Sequence, residues 1–486
     1  MSEQAIQLSV FCFVIGLIAL ITYIKCTGQN RHSADSNKEY FLAGGSLSWM
    51  FVAGSITLTN LSTDQLVGMN GNQMMLMAVW ELSGFVGLIV LAKVFLPVYY
   101  KNNCTTTTEL LEQRYDSKHI RALVSTMFLF INVFVFQPAV IYTGALFMIS
   151  MTGIDLNMMV IAIAFAVVGA AYSVLGGLRA VAVSDTYGGF LVLGMGLLIV
   201  VLSLNAIDFD FSGIPPERLT LIGDSDSPVP WHTLFTGMFL IQIFYWSTNQ
   251  TITQRAMAAP NVKEAQKGVY AAAFVRVVFI PAMIVVPGIV AFKLYGDIGD
   301  VAYGQIVGDL LPSWLSGVFA AAIAAAVLSS FNSQVNSSAA MYVCDLHERY
   351  INDKPNVPVL SGIATVVFVV IAIAMVPIYA QSESIINLLQ ELWGLISMPI
   401  LACFTVGLLF RNVDYRAAIF AVLFGVALYA CFIWVWMPLH YIHMTFITFF
   451  ACVGMALLVN RFVLGNRAEL IGLAGLSAPP SEPEPV

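Results

Sequence analysis

Long apolar runs, separated by short polar connections, extend along almost the entire 486-residue chain. A helix that crosses a membrane needs about 20 predominantly apolar residues. Thirteen runs approach or exceed that length, and they lie at 5–25, 47–70, 77–100, 122–150, 156–176, 181–205, 233–254, 268–293, 313–346, 357–379, 385–410, 414–435 and 440–460. The pattern predicts an all-α, multi-pass membrane protein with about 13 transmembrane helices.

The composition agrees with a chain that has lipid as its solvent. Hydrophobic residues make up 59% of the sequence and charged residues 10%, whereas a soluble globular chain carries about 25% charged residues. The seven cysteines are scattered without a CxxC pair, so we expect neither a disulfide framework nor a zinc site. The six histidines fall in connections or near helix ends, which gives an enzyme little support.

The positions of the basic residues predict the orientation. Cytoplasmic connections carry an excess of Lys and Arg. If the N-terminus lies outside, seventeen of the 21 Lys and Arg residues fall on the cytoplasmic side, as does the C-terminus. We therefore expect one transmembrane domain over 1–470, an acidic, Pro-rich outer loop at 206–232 and a disordered cytoplasmic tail at 471–486. The predicted location is the plasma membrane, in a bacterium the inner membrane.

Four spans contain polar stretches that lipid alone does not explain. The second contains GSITLTNLSTDQLVGMNG (54–71), the seventh QIFYWSTNQTITQR (242–255), the ninth AAAVLSSFNSQVNSS (324–338) and the eleventh NLLQELWG (387–394). Backbone groups in a bilayer must bond within their helix, to other protein groups or to water in a cavity. The stretches therefore indicate broken helices around a wet cavity, or alternatively polar seams between helices.

The second and seventh spans are five spans apart, so two five-helix units starting at these spans would have opposite orientations. Paired interrupted helices in two inverted halves point to the central site of a transporter.

Ionisable residues at membrane depth are costly and are functional candidates. Glu81 and Arg276 would either pair with each other or both face a solute. Asp64, Asp185 and Glu391 also lie within predicted spans, and the sequence does not define their roles. Charges that only hold helices together remain the alternative for each of them.

Several motifs resemble the sodium:solute symporter family, and its bacterial sodium/sugar (glucose/galactose-type) cotransporter branch in particular. The resemblance covers about 38–415 and is carried by YFLAGGSLSW (40–49), TNLSTDQLVGMNG (59–71), ELLEQRYDSK (109–118), YSVLGGLRAVAVSD (172–185), YWSTNQTITQRAMAAPNVKEAQKG (245–268) and AAIAAAVLSSFNSQVNS (321–337). It implies the LeuT-type fold with inverted five-helix repeats, here about 47–205 and 233–410. One helix would precede them at 5–25, and helices 12 and 13 would follow at 414–460.

The resemblance also implies a site for the coupling ion, Na⁺. In the family this site lies between the broken second helix and the ninth helix. The matching positions here are the carbonyls of Leu58, Leu61 and Ala326 and the hydroxyls of Ser329 and Ser330. Oxygen atoms are the ligands that a hard alkali cation prefers.

A solute pocket is implied as well. The matching positions are Asn60, Gln65, Glu81, Gln242, Tyr245, Arg276 and Gln390, with Met69, Trp80 and Ile386 as an outer gate. Carboxamides, a carboxylate and an aromatic ring suit the hydroxyls and the apolar face of a sugar. Three positions depart from the branch pattern: Gln242 replaces Asn, Arg276 replaces Lys, and Phe136 replaces an amide. Because Arg grips carboxylate or sulfate bidentately, an acidic or sulfated sugar becomes an alternative.

We therefore expect sodium-coupled symport of a sugar or sugar-like solute into the cell by alternating access. The alternatives are symport of another small solute, such as a monocarboxylate, an amino acid or a nucleoside, and, more remotely, a membrane solute sensor. The expected partners are the small-molecule solute and the lipid bilayer, without nucleic acid or an obligate protein partner.

Overall fold

The computed structural model describes residues 3–27, 37–381 and 385–472 and is built almost entirely of helices. In chain order these are α1 (Glu3–Thr27), α2 (Trp49–Asn60 and Thr63–Gly71), α3 (Met75–Lys101), α4 (Lys118–Thr152), α5 (Met158–Ala171), α6 (Leu178–Ala206), α7 (Gly237–Ser247 and Gln250–Met257), α8 (Val262–Tyr295), α9 (Ser313–Tyr350), α10 (Val357–Tyr379), α11 (Ile385–Leu409), α12 (Tyr415–Trp434) and α13 (Tyr441–Val463). Short helices at Asn37–Phe41, Glu109–Tyr115 and Ala302–Leu310 lie in the connections.

In the described part of the chain, ten helical stretches are long and apolar enough to cross a membrane individually. The halves of α2 and α7 are shorter because those helices are interrupted, and α5 is a shorter apolar helix. The count of thirteen spans therefore stays a prediction, and the predicted tail from residue 473 onward lies outside the described residues.

The connection expected between α5 and α6 is itself helical, since helical backbone continues over Met158–Ala206. The chain nevertheless reverses within it. Gly169 lies against Phe331 and Gly188 lies against Ala325, so both reach the same region of α9. A straight helix would separate the two glycines by about 29 Å. The helical backbone therefore bends back on itself between them, and α5 and α6 both pack against α9.

Helix α9 is the most deeply packed long element, together with α11. Its first half is rich in alanine, and residues 319–327 are all buried. Small side chains let helix backbones approach closely in a membrane, where packing rather than exclusion of water holds helices together. As a result α1, α5 and α6 contact α9 along a large part of its length.

A two-stranded antiparallel ribbon joins the end of the described chain to the end of α11. Strand β1 (Phe410–Arg411) pairs with β2 (Glu469–Leu470), and Phe410 lies opposite Leu470. Asn460 supports the ribbon, because its Nδ2 donates to the Asn412 carbonyl at 2.9 Å. The connection after α13 is thereby fixed to the end of α11.

Asn70 ties the second half of α2 to α8. Its Nδ2 donates to the carbonyls of Leu66 (2.8 Å) and Met283 (3.1 Å), and its Oδ1 accepts from the Gly288 N–H at 2.8 Å. The two backbones come close because Gly288 has no side chain, and a Cβ there would meet the Asn70 carbonyl. The side chain of Asn70 thus supplies hydrogen bonds at the crossing of two helices.

Two basic residues of the predicted outer side are both paired with acids. Arg218 Nη2 lies 2.9 Å from Asp297 Oδ2, and Lys293 Nζ lies 2.9 Å from Asp210 Oδ2. Hydrogen bonds from Ser212, together with the Lys293 ammonium, hold the pKa of the Asp210 carboxyl well below its usual range. These contacts fix the loop after α6 against the end of α8.

A buried carboxylate organises the opposite face, where α4 begins and α9 ends. Asp345 is inaccessible and accepts from Thr106 Oγ1 (2.7 Å), Thr108 Oγ1 (2.5 Å), Ser125 Oγ and Arg121 Nε (2.7 Å). The guanidinium of Arg121 also pairs with Glu112 at 2.5 Å. This network joins α4, α9 and the connection that follows α3.

Asp345→Ala should destabilise the protein by about 3–5 kcal/mol, because it leaves the guanidinium of Arg121 and several hydroxyls buried without their shared acceptor. The measurement is thermal unfolding of the purified protein in detergent. Asp353→Ala is the matched control, since Asp353 is exposed. Equal midpoints for the two variants would contradict the structural role of Asp345.

Candidate functional site

The break in α2 is a tight turn centred on Leu61. The Leu61 dihedrals, φ −74° and ψ 67°, are those of an inverse γ-turn, and the Ser62 N–H donates to the Asn60 carbonyl at 2.7 Å. Helical geometry would have sent that N–H to the Leu58 carbonyl. The turn therefore frees a backbone acceptor at mid-helix, as the polar stretch 54–71 predicts.

The freed carbonyls face α9. Ser330 Oγ lies 3.1 Å from the Thr59 carbonyl and 3.5 Å from the Leu58 carbonyl. One residue away, Ser329 Oγ is buried and lies next to the Asp185 carboxylate of α6. Hydroxyl, carboxylate and under-bonded carbonyl oxygens in one place fit a small cation that takes oxygen ligands. Leu61 and Ala326, the other predicted ligands, are fully buried, at the turn and one helical turn before Ser330.

A buried acid and a buried base flank this break. Asp185 on α6 is inaccessible, and its Oδ2 accepts from Ser55 Oγ on α2 at 2.6 Å. Arg255 on α7 is also inaccessible, and its Nε donates to Thr59 Oγ1 at 2.9 Å. Asp185 thus contacts α2 directly, whereas Glu391 is exposed and does not line the cavity described below.

Helix α7 is interrupted in the corresponding place. Its first half ends at Ser247, and Asn249 caps the second half, its Oδ1 accepting from the Thr251 N–H at 3.0 Å. An Asn at this position satisfies one of the free N–H groups of a helix start. The second half then packs on α9, where Thr251 Oγ1 and Ser337 Oγ are 2.8 Å apart.

A cavity lies beside the two breaks, and the space between its atoms, including its opening to solvent, is about 630 Å³. Helices α2, α3, α4, α7, α8 and α11 all contribute to its wall. Its lining residues are Asn60, Ser62, Asp64, Gln65, Met69, Trp80, Glu81, Phe136, Ile241, Gln242, Tyr245, Trp246, Arg276, Leu389, Gln390 and Trp393. Its mixture of aromatic and polar groups is that of a small-molecule site.

Glu81 is the centre of the polar part of the wall. It forms an ion pair with Arg276 and accepts from Gln65 Nε2. Arg276 also donates to Asn60 Oδ1, and Asn60 Nδ2 donates to the Tyr245 hydroxyl at 2.8 Å. The two alternatives for Glu81 and Arg276 are thus both realised, because the residues pair with each other and also face the cavity.

Two glycines on α3 make this arrangement possible. A Cβ on Gly84 would lie 2.9 Å from Arg276 Nε, and a Cβ on Gly87 would lie 2.2 Å from the Gln242 carbonyl. The absence of side chains lets α7 and α8 approach α3 so that the guanidinium reaches Glu81. Helix–helix distance therefore sets the geometry of the ion pair.

Aromatic rings cover the other side of the cavity. The Arg276 guanidinium lies over the Trp246 ring at 4.4 Å from its centroid, and Trp246 Nε1 donates to Gln242 Oε1 at 3.1 Å. Trp393 packs edge-on against Phe136 at 4.7 Å between centroids. Trp393 Nε1 has no partner among the described residues. The wall thus offers apolar ring surface with a free donor at its edge.

The structure brings all seven predicted solute residues into one wall, together with Met69 and Trp80 of the predicted gate. The backbone of Ile386 lies in the first turn of α11, but its side chain lies outside the described residues. The sequence did not single out Ser62, Ile241, Trp246, Leu389 and Trp393. Helical spacing could have found two of them, because Trp246 follows Gln242 by four residues and Trp393 follows Gln390 by three.

Comparison with known proteins assigns the chain to a family. Residues 40–425 match the description "Sodium:solute symporter family". The chain belongs to the sodium:solute symporter family. An uncharacterised symporter, YidK, of Escherichia coli (strain K12) is 33% identical over 452 residues, which cover 88% of this chain and 78% of that protein. A sodium/glucose cotransporter of Vibrio parahaemolyticus is 30% identical over 456 residues, covering 86% and 83%.

The fold has solved counterparts. A Na⁺-coupled sialic acid symporter in a substrate-bound outward-open state matches with a TM-score of 0.82 at 17% identity, covering 96% of this chain and 99% of that one. At such identity the likeness concerns the fold, which confirms the predicted LeuT-type architecture. The protein is thus a multi-pass membrane symporter with Na⁺ as its coupling ion, as the sequence resemblance implied.

Ser330→Ala should abolish stabilisation by sodium if this hydroxyl is a ligand. A site saturated at 100 times its dissociation constant stabilises the folded state by about 2.7 kcal/mol. The measurement is the melting temperature of the purified protein in NaCl against N-methylglucamine chloride. Ser316→Ala is the matched control, because Ser316 is buried on the same helix but bonds to the Leu311 carbonyl at 3.2 Å. An undiminished sodium effect in Ser330→Ala would remove the hydroxyl from the site.

Proposed function

We propose that this symporter imports a sugar or a similar polyhydroxylated solute together with sodium. The observation that carries the proposal is the cavity wall, in which carboxamides, a carboxylate and a guanidinium face aromatic rings directly beside the break in α2. The activity is transport, and no residue is assigned a catalytic role. A relative at 30% identity is named as a sodium/glucose cotransporter, which supports the same solute class.

A polyhydroxylated solute suits the hydrogen-bonding groups that the wall leaves free. Each hydroxyl can both donate and accept. Gln65 Oε1 and Trp393 Nε1 are a buried acceptor and a buried donor without partners among the described residues. Gln390 also has no side-chain hydrogen bond in that part of the chain and lines the cavity. Unpaired buried polar groups are costly, so a solute that satisfies them gains affinity.

Sodium and solute would be coupled through α2. The turn at Leu61 joins the carbonyls proposed for sodium to the segment that carries Asn60 and Gln65. An ion between Leu58 and Ser330 would fix the turn and thereby orient these two amides. A ligand shifts a conformational equilibrium only by its differential affinity for the two states, so coupling requires both ligands to favour the same state.

Alternating access would then move the solute across the membrane. Each sodium entering down the membrane potential contributes about 2.3 kcal/mol per 100 mV. Met69 and Trp80 would close the outer side of the cavity, with Ile386 as the third gate residue. The bias of Lys and Arg supports an N-terminus outside and a C-terminus in the cytoplasm, and the bacterial relatives support an inner-membrane location.

Sodium-driven uptake into proteoliposomes tests the proposal, using a panel of neutral sugars, inositols, uronic acids, amino acids, monocarboxylates and nucleosides. Uptake of a sugar or polyol that requires inward sodium and saturates is the expected result. Preferential uptake of an amino acid, a monocarboxylate or a nucleoside would overturn the solute class while leaving sodium symport intact.

Gln390→Leu should reduce uptake of the transported sugar at least tenfold, since its amide is free for the solute and its loss breaks no hydrogen bond in the described chain. Stabilisation by sodium should persist, because Gln390 lies outside the predicted ion site. Gln305→Leu, on an exposed position of the helix at Ala302–Leu310, is the control. Wild-type uptake by Gln390→Leu would exclude this amide as a solute ligand.

A further inference from the structure

We infer that the carboxyl group of Asp64 is ionised and gives the solute site a net negative charge, so that the site accepts uncharged or cationic sugars and rejects acidic or sulfated ones. The inference rests on the proposed function and narrows its solute class. It also argues against the alternative that Arg276 suggested from the sequence, namely that the site recognises a carboxylate or a sulfate group of the solute.

Asp64 lies in the first turn of the second half of α2, immediately after the break. The residue is 8% exposed and is one of those that line the cavity. In the described chain its carboxylate has one side-chain hydrogen bond, from Ser62 Oγ, and no Lys, Arg or His nitrogen lies within 4 Å. A carboxylate in this position faces the cavity without a neutralising partner.

Arg276 is the one cationic side chain among the described residues of the wall, and it already has other partners. Arg276 pairs with Glu81, donates to Asn60 Oδ1 and stacks over Trp246. The lining residues that the structure describes therefore include two carboxyl groups and one guanidinium, and the guanidinium is compensated by Glu81. With Asp64 ionised, one negative charge is left over.

This charge distribution determines which solutes fit. Charges interact strongly in a cavity from which most water is excluded. An anionic solute would be repelled by Asp64 and could bind Arg276 only by displacing Glu81, leaving that carboxylate buried and unpaired. A hydroxyl or an ammonium group can instead donate to Asp64, and charge-assisted hydrogen bonds are about twice as strong as neutral ones.

The test compares Asp64→Asn with the wild type in proteoliposomes. The Asn side chain keeps the shape of Asp but removes its charge. The probes are the best-transported neutral hexose, the corresponding amino sugar and the corresponding uronic acid, which share one ring and differ in charge. In the wild type, sodium-driven uptake of the uronic acid should be at least tenfold slower than that of the other two. In Asp64→Asn, the ratio of uronic acid to amino sugar uptake should rise at least tenfold.

Asp155→Asn is the control for loss of an acid elsewhere, because Asp155 is exposed in the connection after α4. Stabilisation of Asp64→Asn by sodium shows that the variant is folded, and Asp64→Glu should retain the wild-type ratio. Wild-type uptake of the uronic acid as fast as the neutral hexose, or an unchanged ratio in Asp64→Asn, would overturn the inference alone. Failure of the wild type to take up any sugar would instead contradict the proposed function.

Discussion

The backbone hydrogen bonds that α2 gives up at Leu61 are the constraint on which the centre of this protein depends. A carbonyl that loses its helical partner in a bilayer must find another, and none comes from lipid. Here Ser330 on α9 approaches the carbonyls of Leu58 and Thr59, while Ser329 lies next to the Asp185 carboxylate. The break therefore requires α9 beside it, and the alanine-rich first half of α9 is what lets the surrounding helices come close. The need to satisfy the freed carbonyls of α2 thus accounts both for the proposed ion site and for the packing of α9 against the break.

Buried charge imposes the second constraint, because a buried ionic group without a partner of opposite charge is costly. Two buried ion pairs meet this constraint in different surroundings. Glu81 and Arg276 compensate each other inside the cavity wall, held by the close approach of α3 to α7 and α8. Asp345 and Arg121 also compensate each other, where α4 begins and α9 ends, and neither is among the described residues that line the cavity. The first pair uses its remaining hydrogen-bonding capacity on the cavity wall and the second uses it on structure. An ion pair thus acquires a role from its surroundings rather than from its residue types.

Polar contacts between helices also define two cross-linked groups of helices. Asn70 bonds α2 to α8, and the Glu81 network bonds α2, α3 and α8, so these helices form one cross-linked group together with α7. The Asp345 network joins α4 and α9 into another. Hydrogen bonds also join the two groups, among them Thr59–Ser333, Thr251–Ser337 and those between Gln250 and the connection after α3. Alternating access would have to rearrange these contacts between the groups.

The sequence by itself determined the membrane class, the broken second and seventh helices and the residue types around the cavity, because these follow from local hydrophobicity and from backbone chemistry in lipid. It placed Asn60, Gln65, Gln242 and Arg276 in one site only through family resemblance, since their separation along the chain gives no distance. Only the tertiary structure decided that Arg276 is neutralised by Glu81, that Asp64 has no cation beside it among the described residues, and that Trp246 and Trp393 complete the wall. It also showed helical backbone where a loop was expected between α5 and α6. Charge compensation and close packing depend on atoms brought together from distant helices, and one-dimensional patterns do not record those distances.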